Sequence, residues 1–305
     1  MLSHITHRGL LLNMGITIGM LVDATRQNKR TYKVEREWII QMTIQAVMFD
    51  LDDTLLWDER SVEEAFDAAC QTGSQEAGVD PKALEEAVRK EARALYESYE
   101  TFSFTQLIGI NPFEGLWANF TAGEQPEFRQ LEQLAPAYRK ESWRRGLQKL
   151  GIDNEELAQK LATQFALERR SRPHVYEETF EILEQLKGQY KLLLLTNGSP
   201  DLQQEKLDGV PQLAPFFDHV VISGSFGKGK PDPSIFQHAL GLLGIEPEHA
   251  LMVGDKLTTD IQGALTAGVH SVWVNRNAKT NTTEIKPKFE IKHLSELDGI
   301  IQSFK

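Results

Sequence analysis

The chain has very little cysteine: Cys70 is the only one among its 305 residues. A single thiol excludes an intramolecular disulfide, and this composition is typical of proteins from a reducing compartment. We therefore expect a cytoplasmic protein. Its eight histidines show no metal-ligand spacing in the body of the chain, so a zinc site is not expected.

Positive charge is also scarce. Lys and Arg together number 33 against 44 Asp and Glu, which gives a formal net charge of -11, and the basic residues form no cluster. Nucleic acids and anionic membranes attract clustered Lys and Arg, so neither is expected as a partner. Nothing in the sequence indicates an oligomeric state.

A long apolar run is missing as well. The stretch from Leu10 to Val22 is too short and too often interrupted by glycine for a membrane span. Polar residues follow it directly, which does not fit a secretory signal. We expect Met42 to be the effective start, with residues 1–41 an extension that is not native or is disordered; a genuine peripheral extension is the alternative.

Two carboxylates at the end of a predicted strand give the strongest chemical signal. Asp50 and Asp52 follow the apolar run Ala46–Phe49. Residues two apart in an extended strand point to the same side, so both carboxylates can face one reacting group. One can attack while the other transfers a proton. In a chain this acidic the pair also arises by chance, so alone it is only a hypothesis.

Three further polar segments follow predicted strands or precede helices. Thr196-Asn197-Gly198 ends the apolar run 191–195, where a hydroxyl and backbone amides can bind an anion, although an ordinary Asn-Gly turn fits equally. Lys230 precedes a Pro-Asp-Pro segment and offers a compact positive charge for phosphoryl oxygens. An ordinary basic turn is the alternative interpretation of this segment. Asp255 ends the run 250–254, and Asp260 opens the next helix, a position that the helix dipole favours anyway.

Taken in this order, the four segments resemble the motifs of the haloacid dehalogenase-like (HAD) hydrolase superfamily, from about residue 42 to the C-terminus. Further details are similar to the subgroup with a helical cap between the first two motifs, including Firmicute-type phosphatases: Gln203, Gln204 and Lys206 after the second motif, and the segment 272–276 near the end. The resemblance implies an α/β fold, a Rossmann-like parallel sheet with helices on both faces, plus an inserted helical cap domain.

The resemblance also implies residue roles. Asp50 would be the nucleophile that forms an aspartyl-phosphate, and Asp52 the general acid and base. Three carboxylates around a dianion need a cation, and Mg²⁺ suits an all-oxygen site. The remaining roles are phosphate binding by Thr196, Asn197 and Lys230; metal binding by Asp50, the backbone carbonyl of Asp52, and Asp255; and support by Thr54, Gly254 and Asp260. We expect Asp260 to orient Lys230 or a metal-bound water, and Gly254 to allow a tight turn beside the metal.

The predicted domains are a core formed by residues 42–60 and 173–305 and a helical cap formed by residues 61–172. Asp80 before Pro81 is typical of a helix start within the cap. The aromatic segment 102–120 either lines the pocket or fills the cap's own core, and the second alternative is favoured for Phe113, Trp117 and Phe120.

The intact acidic residues favour phosphoryl transfer. Expulsion of a halide needs no proton. The dehalogenases of this family have another residue at the position of Asp52, whereas this chain keeps the aspartate. Phosphomutases and a catalytically silent regulatory module are alternatives. The best substrate hypothesis is phosphoserine, whose hydrolysis is a step of serine biosynthesis. Nucleoside monophosphates and sugar phosphates are the alternatives. Residues that could bind the charged groups of such a substrate are Glu59, Arg60, Asn111 and Arg145. Trp57 and Asp58 lie where the chain crosses from the core into the cap.

Overall fold

A computed structural model describes residues 43–305, so the prediction made for residues 1–41 lies outside the described part. Six parallel strands form one sheet in the order β3-β2-β1-β4-β5-β6. Their bounds are β1 Ala46–Phe49, β2 Lys191–Thr196, β3 His219–Ile222, β4 Ala250–Gly254, β5 His270–Val274 and β6 Phe289–Ile291. The central strands β1, β2 and β4 are largely apolar and buried, because both faces of the sheet are covered there.

Strand β1 lies at the centre of the sheet, between β2 and β4. Phe49, its last residue, is aligned with Leu194 on one side and Val253 on the other. Because all three strands run in the same direction and in this register, their carboxyl ends meet at one edge of the sheet. Ligands bind open α/β sheets at this edge.

Helices cover both faces of the sheet. On one face Val47, Phe49 and Leu194 pack in a cluster with Leu183 and Leu297; on the other, Met48 and Leu193 pack in a second cluster with Phe236. The core helices are α7 Thr179–Leu186, α8 Pro200–Asp208, α9 Ser223–Phe226, α10 Pro233–Leu243, α11 Gln262–Thr266 and α12 Leu297–Gln302, and short 3-10 and π turns join several of them. The predicted fold class is confirmed.

A helical insertion lies between β1 and β2 and has a hydrophobic core of its own. Its helices are α1 Asp58–Ala77, α2 Pro81–Glu97, α3 Phe102–Ile108, α4 Pro112–Gly115, α5 Pro126–Lys149 and α6 Glu155–Ser171. Trp117 and Phe120 are buried in this core, and Phe113 packs at its edge. Cys70 is buried there as well. The exact division at residues 61 and 173 stays a prediction. No helix within residues 43–305 has the length and apolar character to cross a bilayer.

Asp80 caps α2 as the sequence predicts: its side chain accepts a hydrogen bond from the backbone N–H of Ala83 at 2.8 Å, and Pro81 is the first helical residue. We expect Asp80→Ala to lower the free energy of unfolding by about 1 kcal/mol, because one N–H at the helix start loses its acceptor. Urea unfolding followed by circular dichroism measures this loss. Glu86→Ala, on the exposed side of the same helix, is the matched control and should stay within about 0.5 kcal/mol of the wild type. Equal effects of the two changes would contradict the capping role.

Candidate active site

The polar segments predicted from the sequence meet at the carboxyl edge of the sheet. Asp50 directly follows β1, Asp255 directly follows β4, and Thr196 is the last residue of β2. Lys230 reaches the same place from the loop between α9 and α10. Together they line a cavity of about 190 Å³, whose walls also include Asp52, Asp53, Asp58, Gly109, Asn111, Glu114, Asn197, Lys256, Thr259 and Asp260.

Asp50 is buried and forms a close ion pair. The Lys230 ammonium lies 2.5 Å from its Oδ1, and the Thr54 hydroxyl donates a weak hydrogen bond of 3.5 Å to its Oδ2. Burial raises the pKa of Asp50 to about 7, against the lowering effect of the Lys230 charge, and the nearby Asp260 and Asp52 carboxylates raise it further. The candidate nucleophile therefore lies in a site with excess negative charge.

Lys230 is held from three sides. Besides Asp50, its ammonium contacts Asp260 Oδ1 at 2.7 Å and donates to the Leu195 carbonyl at 2.6 Å. Burial acts to lower the pKa of Lys230, but the Asp260 and Asp50 charges raise it above the ordinary value, so the ammonium stays charged. The structure thus places Asp260 against Lys230, which is the arrangement expected if Asp260 orients this lysine.

Gly254, the last residue of β4, leaves room for a neighbouring carboxylate. A Cβ at this position would lie 2.4 Å from the Asp260 Cγ, a distance that no side chain tolerates. Asp260 in turn accepts a hydrogen bond of 3.0 Å from the Lys256 backbone N–H. The tight turn expected at Gly254 stays a prediction; glycine at this position also leaves room for the Asp260 carboxylate.

Three carboxylates could hold a cation. Asp50, Asp255 and Asp260 each offer an oxygen, and these atoms lie within 4.8 Å of one another. Burial raises the pKa of Asp255 well above its ordinary value, and the charges of Asp260 and Asp50 raise it further. A set of hard oxygen donors with excess negative charge fits Mg²⁺, which prefers carboxylates and water as ligands.

Asn197 has its side chain engaged inside the protein. Its Nδ2 donates to the Lys230 carbonyl at 2.9 Å, and its Oδ1 accepts from the Lys230 backbone N–H at 2.8 Å. Gly109 and Gly229 allow this close packing, because a Cβ on either would lie within 3 Å of the amide. The side chain therefore positions the Lys230 loop, and a contact from Asn197 to an anion would use its backbone N–H.

Gln203 and Lys206 of α8 contact the predicted site residues Thr196 and Asp52. The Gln203 amide donates to the Thr196 hydroxyl at 2.6 Å and to Asp52 Oδ2 at 3.2 Å, and the Lys206 ammonium lies 2.8 Å from the same Oδ2. Burial acts to raise the pKa of Asp52, but the charge and hydrogen bond of Lys206, with the bond from Gln203, lower it below the ordinary value.

Sequence reasoning noted Gln203 and Lys206 without giving them a role. A local signal was available, because residues three apart in a helix share a face and this helix directly follows the Thr196 segment. Their partner Asp52 is distant in the chain, and only the tertiary fold brings it close.

A second, larger cavity of about 650 Å³ shares Asp53, Asp58, Asn111, Glu114, Asp255 and Lys256 with the first. The cap contributes Arg89, Arg93 and Phe113 to its wall, and the core contributes Tyr176 and Arg276. Of the four substrate-selecting candidates, Glu59 and Asn111 line this cavity. Arg60 instead pairs with Glu64 at 2.8 Å and Arg145 with Glu141 at 2.7 Å, each within its own helix.

The crossing into the cap is fixed by side-chain contacts. Trp57 stacks on Tyr176 with ring centroids 5.2 Å apart, and Asp58 forms an ion pair with Arg169 of α6. Trp57 therefore has a structural contact here, while Asp58 lines both cavities.

Known proteins of one hydrolase family are similar to this chain in sequence and in fold. The model of the haloacid dehalogenase-like hydrolases matches residues 44–268. A phosphoserine phosphatase of Thermus thermophilus is 37% identical over 254 residues, which cover 82% of this chain and 96% of that protein. A glyceraldehyde 3-phosphate phosphatase of Methanopyrus kandleri is 30% identical over 267 residues, covering 85% and 97%. The fold is similar to the magnesium-bound putative HAD-hydrolase YfnB of Bacillus subtilis, with a TM-score of 0.57, 23% identity and coverage of 85% and 99%.

We expect Gly254→Ala to lower the free energy of unfolding by about 1–3 kcal/mol, because the added methyl group must displace the buried Asp260 carboxylate and its ion pair. Urea unfolding measures the change. Gly241→Ala is the matched control: this glycine lies within α10 with open space around its Cα, so alanine should be neutral or stabilise the protein by up to about 1 kcal/mol. A Gly254→Ala protein as stable as the Gly241→Ala protein would contradict this account.

Proposed function

The chain belongs to the haloacid dehalogenase-like hydrolase family, and we propose that it is a phosphatase that cleaves small phosphomonoesters through an aspartyl-phosphate at Asp50, with Mg²⁺ as its cofactor. The observation that carries the proposal is the convergence of Asp50, Asp52, Lys230 and Asp255 around one small cavity at the carboxyl edge of the sheet. The presence of Asp52 favours a phosphatase over a dehalogenase, because an alcohol leaving group needs a proton and a halide does not.

Each residue has a distinct task in this reaction. A carboxylate oxygen of Asp50 attacks phosphorus, and the bond from phosphorus to the substrate alcohol breaks as Asp52 donates a proton to the departing oxygen. Lys206 lowers the pKa of Asp52 in the free site, and the negative charge of the bound phosphate acts in the opposite direction, so Asp52 takes up this proton as the substrate binds. Water then attacks phosphorus, Asp52 takes the proton, and the Asp50 carboxylate is released with inorganic phosphate. The Lys230 ammonium, the Thr196 hydroxyl and the Asn197 N–H stabilise the charge that develops on the other phosphoryl oxygens.

The carboxylates would hold the metal ion. Asp50, Asp255 and the backbone carbonyl of Asp52 are the proposed ligands, with Asp260 directed to Lys230. Bound Mg²⁺ would neutralise the charge between the Asp50 carboxylate and the phosphoryl group.

The substrate we propose is phosphoserine, whose hydrolysis releases serine in the cytoplasm. The similarity to the Thermus phosphatase supports it, as does the charge pattern of the larger cavity. Phosphoserine carries a carboxylate and an ammonium besides its phosphate. Arg93 lies in the cavity wall, stacked 4.7 Å from the Phe113 ring, and has no carboxylate within 4 Å in the described part of the chain. Glu59 and Glu63 in the same wall can pair with an ammonium.

Glyceraldehyde 3-phosphate is the alternative that the Methanopyrus relative suggests. It has neither a carboxylate nor an ammonium, so it would leave Arg93 and the two glutamates without a charged partner in the substrate. The observed distribution of charge therefore favours an amino-acid phosphate over an uncharged leaving group.

We expect phosphate release from p-nitrophenyl phosphate to fall to the buffer level in Asp50→Asn, because the amide oxygen cannot serve as the nucleophile. Excess EDTA should have the same effect on the wild type, and added Mg²⁺ should restore the activity. Asp67→Asn on the exposed side of α1 is the control and should retain full activity. Hydrolysis that persists in Asp50→Asn or in EDTA would refute the mechanism.

We expect Arg93→Met to raise the KM for phosphoserine by about tenfold or more, because the substrate carboxylate loses a charge-assisted hydrogen bond of about 1.5–3 kcal/mol. The KM for p-nitrophenyl phosphate, which has no carboxylate, should not change. Arg129→Met, in an exposed ion pair with Glu132 on α5, is the control. A wild-type rate on phosphoserine no better than on nucleoside monophosphates or sugar phosphates would refute the substrate assignment and leave the phosphatase mechanism intact.

A further inference from the structure

A buried lysine joins Asp52 to the cap. Lys206 lies on α8 of the core, and its side chain is only 2% exposed. Its ammonium is 2.8 Å from Asp52 Oδ2, 3.0 Å from Glu114 Oε1 on α4, and 3.5 Å from Asp58 Oδ1 on α1. One lysine thus contacts Asp52 of the core, Glu114 of the cap, and Asp58 where the chain crosses between them.

Each of these carboxylates has a second fixed partner. Glu114 accepts a hydrogen bond of 2.9 Å from the Asn111 backbone N–H with its other oxygen, as part of the capping box that starts α4. Asp58 pairs with Arg169, whose guanidinium also lies 4.7 Å from the Trp117 ring. The Lys206 ammonium therefore sits among groups whose positions are already determined, and its own position follows from theirs.

The rest of α8 also contacts the cap. Glu205 pairs with Arg170 of α6 at 2.6 Å, and Asp201 accepts a hydrogen bond of 2.8 Å from the Thr121 backbone N–H. Lys206 is thus part of a row of polar contacts between this core helix and the cap. Its partner Glu114 lies within the cap, so this contact is lost if the cap moves away from the core.

The two oxygens of Asp52 have different surroundings. Oδ2 contacts both Lys206 and Gln203. Oδ1 is buried and has no hydrogen-bond partner among the described residues. A buried polar atom without a partner is unfavourable, and a protonated Oδ1 would find its acceptor in a substrate oxygen, so Oδ1 is the atom left for a group that enters the cavity.

We propose that Lys206 is a positioning residue: with the cap docked on the core, it holds Asp52 by Oδ2 and so directs Oδ1 to the oxygen of the leaving group. This role rests on the proposed phosphatase function. Proton transfer requires the acid and the departing oxygen to lie within hydrogen-bond reach in a fixed orientation. A lysine that only compensated charge would not need to select one of the two oxygens.

The test uses the need of the leaving group for a proton. An alkyl phosphate such as phosphoserine requires protonation of a poor leaving group, whereas p-nitrophenolate departs without it. The ratio kcat/KM covers the steps up to formation of the aspartyl-phosphate, so it reports this protonation and not the later attack of water. We expect Lys206→Met to lower kcat/KM for phosphoserine at least tenfold more than for p-nitrophenyl phosphate. Asp52→Asn should show the same selective loss, because general acid catalysis contributes about 10²–10⁴-fold.

Two further variants make the result decisive. Lys160→Met removes an exposed lysine that pairs with Glu76 on the cap surface, and it should change neither rate. If Lys206→Met does not fold, the double variant Lys206→Met with Glu114→Gln removes one charge of each sign from the buried cluster, and the same selective loss is expected from it. Circular dichroism and thermal unfolding establish that each protein tested is folded.

Equal losses on both substrates in a folded variant would overturn the positioning role, since they would show that Lys206 only supports the fold. A wild type that hydrolyses neither substrate would overturn the proposed function, and the positioning role with it. An active wild type with a loss confined to phosphoserine supports both.

Discussion

Compensation of buried negative charge is the constraint on which the rest of this structure depends. The buried carboxylates of Asp50 and Asp260 and the partly buried carboxylate of Asp52 are brought to the end of the central strands. A buried charge without a partner is strongly destabilising. Two buried lysines meet this requirement: Lys230 pairs with Asp50 and Asp260, and Lys206 pairs with Asp52. Asp255 has no such lysine at ion-pair distance in the described residues, which is consistent with a requirement for a metal cation at that position.

This constraint explains several small residues around the site. Gly254 leaves room for Asp260, and Gly109 and Gly229 leave room for the Asn197 amide that holds the Lys230 backbone. None of these glycines has a chemical group that acts on a substrate. Their effect is to let the Asp260 carboxylate reach the Lys230 ammonium and the Asn197 amide reach the Lys230 backbone, and in a poorly hydrated site such close contacts decide whether the charges are stabilised.

The fold class was predicted from the resemblance of the four segments to a known family, and their meeting at one edge of the sheet follows from local patterns as well. Apolar runs that end in polar residues indicate strands of a parallel sheet, and parallel strands place their ends at one edge. The room that Gly254 leaves for Asp260 was not predicted, since it depends on where a side chain six residues later points. Arg145 was a candidate for the pocket, although a glutamate four residues before it gave a local reason for the ion pair that the structure shows.

Contacts between the cap and the core were beyond sequence reasoning for a different reason. The partners Lys206 and Glu114 are separated by 92 residues, and Arg170 and Glu205 belong to different domains of the predicted division. A pairing of this kind depends on how the cap helices pack on α8, and no local periodicity encodes that arrangement. The position of Arg93 in the cavity wall could not be predicted either, because residues of both the cap and the core form this cavity.

The two lysines divide the site in a way that bears on how the cap contributes to the reaction. The groups at ion-pair or hydrogen-bond distance from the Lys230 ammonium, namely Asp50, Asp260 and the Leu195 carbonyl, all belong to the core. Lys206 shares its ammonium between the core and the cap, so the orientation of Asp52 depends on both. A general acid that is completed by the cap would restrict efficient cleavage to substrates that the cap encloses. In this arrangement the docked cap contributes Arg93 to the wall that selects the leaving group and Glu114 to the group that holds Lys206, so selection and protonation both depend on the position of the cap.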